Sequence, residues 1–221
     1  MRKNWWKVLA VVLVCSSVVG GFMGPVPVLP ILNESIRNVY FHVPMWFTMV
    51  TLYAISVVYS IKYLNSNDPK HDVMAVEAVN TGIIFCFFGL LTGMQWANIT
   101  WGEPWPNDPQ LNGSAIATLM YLAYLVLRNA LEEEQKRAKI SAVYNIFAFP
   151  IMVVLLYILP KLTDSLHPGS GGNSTFGDLD MDNYMRPVFY SAVIGWILTG
   201  VWACTLKYRI RILEIKKNQI D

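Results

Sequence analysis

Three histidines, His42, His71 and His167, are the side chains best suited to ligate a metal or exchange a proton near neutral pH. His71 lies in the polar stretch Pro69-Lys70-His71-Asp72 between two apolar segments and reads as a surface histidine. His42 opens the second apolar segment, and His167 follows the fifth. An even number of membrane crossings would separate them, which returns both to one side. A catalytic zinc site takes three protein ligands, and no further His or Cys falls on that side. Cys15, Cys86 and Cys204 each sit inside an apolar run with no cysteine neighbour. That excludes a disulfide framework, a CxxC redox pair and a structural zinc site. Nor is there a Ser-His-Asp arrangement, a P-loop or a GxGxxG stretch.

The same side carries Trp101-Gly102-Glu103-Pro104-Trp105-Pro106-Asn107-Asp108. Glycine and proline mark it as a loop or surface turn. Tryptophan suits a membrane interface, so one reading is an aromatic belt beside a helix end. The crowding of Trp96, Trp101 and Trp105 favours a flat, aromatic-lined ligand surface. Two histidines beside such a surface suggest axial ligands to haem iron, with indoles against the porphyrin face. Arg37, five residues before His42, suits a haem propionate. Asp108 suits a cap for the fourth helix or for the loop itself.

The elements that must position these residues are membrane helices. The chain is 54% hydrophobic and 14% charged, where soluble domains average about 25% charged. Its net charge of +2 gives no reason to expect a nucleic-acid partner. Apolar segments run over about Trp5–Met23, Val39–Leu64, Val76–Trp96, Ser114–Leu127, Val143–Pro160 and Val188–Leu206. The fourth looks short, but 111–129 suffices if its ends reach the headgroups. Each is near the roughly 20 residues that span a bilayer as a helix. The first follows Arg2 and Lys3 but lacks an A-x-A-like cleavage site, so it reads as a retained helix. Pro25, Pro27 and Pro30 end it. Of 17 Lys and Arg, all but Arg37, Lys161 and Arg186 fall on one side, which puts both termini in the cytoplasm. The expected fold is an all-α integral membrane protein, a bundle of six transmembrane helices forming a single domain over 1–221. Its tryptophan-rich outer loop spans about 97–113.

The spacing Trp101-Gly102-x-x-Trp105-x-x-Asp108-x-x-Leu111 resembles the WWD domain of haem-handling proteins in cytochrome c maturation. Two further stretches, Arg37 before His42-Val43-Pro44 and Leu166-His167-Pro168-Gly169-Ser170, strengthen the likeness. Over roughly residues 5–206 the chain resembles the CcmC family, haem exporter protein C. The family usually has Trp-Asp where this chain has Asn107-Asp108, and Arg-Leu-Thr where it has Gln110-Leu111-Asn112.

The resemblance implies a multi-pass protein of the bacterial inner (cytoplasmic) membrane that binds haem b on its periplasmic side. It implies axial ligation by His42 and His167, with Arg37, Trp101, Gly102, Trp105 and Asp108 around the haem. It implies delivery to a periplasmic haem chaperone of the CcmE type. The other partners would be ABC transporter subunits and a small membrane subunit of the CcmD type. On this reading the chain is a haem-handling and transfer protein rather than an enzyme. The alternatives are a small-solute transporter or channel, and the haem-lyase branch that carries the same loop on a larger body. Ion-coupled transport would want ionisable residues near helix centres, and the segments offer little beyond Glu77.

Overall fold

The computed structural model describes residues 4–28, 32–167 and 181–218. Arg2, Lys3, Pro30 and the Pro168-Gly169-Ser170 stretch lie outside the described residues. Among those described there is no β-strand, and six helices are long and apolar enough to cross a membrane. They are α1 (Trp5–Met23), α2 (Val39–Ser66), α3 (Pro69–Trp101), α4 (Pro109–Asn129), α5 (Glu134–Leu162) and α6 (Met185–Asn218). A 3₁₀ turn, Asn33–Asn38, leads directly into α2. A π-helical turn at Val154–Ile158 interrupts α5 after Pro150.

The helices run where the apolar segments predict, but several are longer. Alpha-helix α3 has 33 residues, or about 50 Å at 1.5 Å per residue, against a hydrocarbon core of about 30 Å. Its extra turns are polar at one end, around Lys70, His71 and Asp72, and tryptophan-bearing at the other. Trp101 is therefore the last residue of α3 rather than part of the loop. The fourth helix fills the longer option, with Asp108 as its N-cap and Pro109 at its first turn. Asp68 and Pro69 start α3 in the same way.

Large apolar side chains such as Phe87, Leu119, Phe147 and Ile151 point outward, as lipid contact requires. Burial of apolar surface cannot drive helices together in lipid, so close packing and interhelical hydrogen bonds do it. At the core, Tyr53 of α2 stacks on Tyr121 of α4 at 3.6 Å. Asn145 of α5 donates to Ser60 of α2 at 3.0 Å. At the end away from Trp101, Arg128 forms a two-pronged ion pair with Asp72, one arm at 2.8 Å. This ties the end of α4 to the start of α3.

His71 belongs to that same end, with Nδ1 2.9 Å from the Ser66 hydroxyl. Cysteines placed at exposed Glu103 and Asn65 should label from opposite faces of the membrane, Glu103→Cys from outside. Outside labelling of Asn65→Cys with Glu103→Cys protected would invert the orientation.

Candidate functional site

The opposite end gathers the predicted site residues from separate elements. The first turn of α2 carries His42, the end of α3 carries Trp96 and Trp101, and the segment after α5 carries His167. A cluster of Ile36, Val39, Tyr40, Met181, Met185 and Phe189 packs beneath, with Trp96 against it. His42 and His167 thus fall at one end of the bundle, on α2 and after α5.

Asp108 organises the His167 side. Its Oδ1 accepts the Gln110 and Leu111 N–H groups at 2.9 and 3.1 Å, which caps α4. The same oxygen accepts His167 Nδ1–H at 2.9 Å. Its Oδ2 accepts the Ser165 hydroxyl and the Leu166 N–H, both at 2.7 Å. Burial disfavours the charge, but the bonds from His167, Ser165 and Leu166 outweigh that cost and hold the carboxyl well below the usual carboxylate range. The side chain is fully buried. Asp108 is thus a cap, as its sequence position suggests, and also the orienting partner of His167.

His42 is held differently. Its Nδ1 lies 3.0 Å from the Gly89 carbonyl of α3. A carbonyl only accepts, so Nδ1 carries the proton. Thr92 Oγ1 is 3.2 Å from the same nitrogen, and its own hydrogen goes to the Phe88 carbonyl, so it offers a lone pair as well. Both imidazoles therefore have Nδ1–H bound to a fixed acceptor, which leaves Nε2 as the bare nitrogen.

Indoles wall this space. Trp101 meets the His167 ring edge-on at 5.0 Å. Trp96 and Trp46 meet the His42 ring edge-on at 6.0 and 6.2 Å. The Trp96 indole N–H is buried without a hydrogen-bond partner among the described residues. Trp105 stands further round the loop and donates to Asn112 Oδ1 at 3.3 Å. Asn112 in turn donates to Asn107 at 2.9 Å. The two asparagines that depart from the family pattern thus brace Trp105. Gly102 takes φ +85°, and an added Cβ there would meet nothing within 4 Å. Its glycine answers the left-handed turn that ends α3.

Arg37 is engaged at the entry to α2. Its Nη1 donates to the Gly21 and Gly24 carbonyls at 2.9 and 2.7 Å, and its Nε to Glu34 at 2.6 Å. These bonds clamp the end of α1 to the 3₁₀ turn before α2.

Sequence reading names Trp96 only as a neighbour of the loop and passes over Trp46, Gly89 and Thr92. Trp46 is four residues after His42 and so on the same helix face, which was a legible signal. Gly89 and Thr92 belong to another helix and carry no such mark.

The donor set fits an iron macrocycle. Among the described residues no three His, Cys, Asp or Glu gather to hold a bare metal ion. Two imidazole nitrogens suffice for an iron whose remaining ligands are the macrocycle's own nitrogens. The orphaned Trp96 N–H and the aromatic walls suit a flat ligand with polar substituents.

Known proteins point the same way. A chain from Rhodobacter capsulatus called heme exporter protein C is 26% identical over 213 residues, 96% of this chain and 88% of its own. Its namesake in Paracoccus denitrificans is 23% identical over 208 residues, 94% of this chain and 85% of its own. The cytochrome c biogenesis protein CcsA of Prochlorococcus marinus is 31% identical over 93 residues, 42% of this chain and 28% of its own. Likeness to the first two runs nearly end to end, and the family model for heme exporter protein C, CcmC, matches residues 1–221. By that match the chain belongs to the CcmC family.

Proposed function

We propose that the outer end of this bundle holds haem b as cargo, with His42 and His167 ligating the iron from opposite faces through Nε2. The observation that carries this reading is the shared tautomer. Each Nδ1–H is engaged by a rigid acceptor, the Gly89 carbonyl or the Asp108 carboxylate. Each Nε2 keeps its lone pair and has no hydrogen-bond partner among the described residues.

Family membership supports a multi-pass membrane protein that works in cytochrome c maturation. Haem binding gives the site its part in that process. The ligands belong to unlike supports, one a helix turn packed on α3, the other a short segment hung from Asp108. One can therefore let go before the other. That suits a protein that presents haem and gives it up.

The recipient on this reading is a periplasmic haem chaperone of the CcmE type. ABC transporter subunits and a small CcmD-type subunit would complete the assembly in the bacterial inner membrane. Trp101, braced against His167, and Trp105, braced by Asn112, supply the aromatic platform. Arg37 contributes by fixing how the chain enters α2.

The test is haem retention in the purified Trp101→Ala/Trp105→Ala double variant. Stacking of a flat ring on an aromatic side chain contributes ~1–3 kcal/mol in nucleic-acid complexes. On that scale haem content should fall roughly tenfold or more, with membrane insertion intact. Unchanged haem content would make both indoles interface anchors only.

A further inference from the structure

We propose that Gly93, with Gly89 one turn before it, positions His42 by leaving a bare ledge on α3 against which the imidazole lies. This role rests on the reading of His42 as an iron ligand. Asn38, which precedes α2 as its N-cap, His42 and Trp46 recur every fourth residue and fall on one face. Asn38 Nδ2 donates to the Thr92 carbonyl at 2.9 Å. His42 Nδ1–H donates to the Gly89 carbonyl at 3.0 Å.

Side chains normally keep a neighbouring ring away from a helix backbone. At Gly93 a Cβ would stand 2.7 Å from His42 Cε1 and 3.3 Å from Nδ1. At Gly89 it would stand 3.0 Å from Trp46 Cε2 and 3.1 Å from its Nε1. In membranes, paired small residues four apart usually let two backbones approach. Here the space is filled by an imidazole and an indole instead. The ring rests on Gly93 by Cε1, with Nε2 3.6 Å from where that Cβ would stand. The Gly89 carbonyl holds Nδ1–H, so the ledge fixes the ring's position and the carbonyl its tautomer. Nε2 is then the atom presented to iron.

Gly93→Ala tests this, because alanine is the better helix former and any loss cannot come from a weaker α3. Two readouts are taken. In haem-loaded protein, retention should fall roughly tenfold or more, the scale for loss of a ligand's orienting partner, and the six-coordinate spectrum should weaken. In haem-free protein, modification of His42 by diethyl pyrocarbonate, followed by mass spectrometry, should become severalfold faster.

Gly82→Ala is the control. It sets a methyl against the Tyr53 ring in the same helix pair, away from His42. It should leave both readouts at wild-type values.

Equal losses from Gly82→Ala and Gly93→Ala would reduce the ledge to general packing and overturn the proposal. If His42→Ala loses the spectrum while Gly93→Ala keeps wild-type spectrum and modification rate, the positioning role fails alone. If His42→Ala itself keeps the wild-type spectrum, the ligand reading beneath it fails.

Discussion

Asp108→Ala should strip haem from the protein and loosen its outer end, while the membrane bundle stays inserted. The carboxylate is fully buried and joins the first turn of α4 to Ser165, Leu166 and His167. Removing the carboxylate leaves buried donors unpaired, at about 1–3 kcal/mol for each one. The N-cap alone accounts for about 0.5–2 kcal/mol of such a loss. The effect should appear first as fast hydrogen exchange at the Gln110, Leu111 and Leu166 amides. Haem retention should fall about 10- to 100-fold, the scale for losing a partner that orients a metal-ligating histidine.

Asp108→Asn separates the two tasks. Its remaining oxygen can still cap α4 and accept from His167, but its amide nitrogen meets the Ser165 hydroxyl and the Leu166 N–H. It should keep slow exchange at Gln110 and Leu111, speed exchange at Leu166, and lose less haem than Asp108→Ala. Asp108→Ala with wild-type haem content would break the link between this residue and His167.

The same carboxylate sets a pH dependence. Its folded pKa lies below the unfolded value of about 3.9. Its contribution is therefore complete above that value and is lost as pH falls through and below it. Near neutral pH, Asp108 should confer no pH dependence on the outer end. A fall in Leu166 amide protection between pH 7 and pH 5 that vanishes in Asp108→Asn would contradict this assignment.

How much of this was legible in the sequence follows from the physics of each contact. The six spans were legible because charge inside a bilayer is costly and apolar runs stand out. The start of α3 was missed by seven residues, although Asp68-Pro69 is the same cap-and-first-turn pair as Asp108-Pro109. Polar Lys70, His71 and Asp72 hide that start from an apolar window. The placement of His42 and His167 at one end followed from crossing parity alone.

Their orienting partners did not follow. The link from Asp108 to His167 joins residues far apart in the chain, and only the packing of α4 beside α5 brings them together. The contacts of Arg37 did not follow either. The carbonyls of Gly21 and Gly24 engage it because of the way α1 ends beside the 3₁₀ turn. No local pattern records that geometry. The loss of the family's arginine at Gln110 shifts attention to the orphaned N–H of Trp96.

The largest effect should come from the histidines themselves. Nothing else among the described residues at this end has a nitrogen with a free lone pair held in place by a partner on its other side. Loss of His42 or His167 leaves an iron with one protein ligand, open to water or vacant, and the coupled tryptophan wall loses its edge contact. Haem retention should drop at least tenfold for either, given the 10- to 100-fold loss that follows removal of an orienting partner alone. His71 faces the Ser66 hydroxyl and the Tyr59 ring at the other end and should not matter.

The deciding measurement is the absorption spectrum and haem stoichiometry of purified wild type, His42→Ala, His167→Ala and His71→Ala, each oxidised and reduced. The account predicts a six-coordinate low-spin spectrum for wild type and His71→Ala. It predicts depleted haem with a five-coordinate or water-ligated spectrum for each of the other two. A wild-type spectrum retained by both His42→Ala and His167→Ala would contradict it.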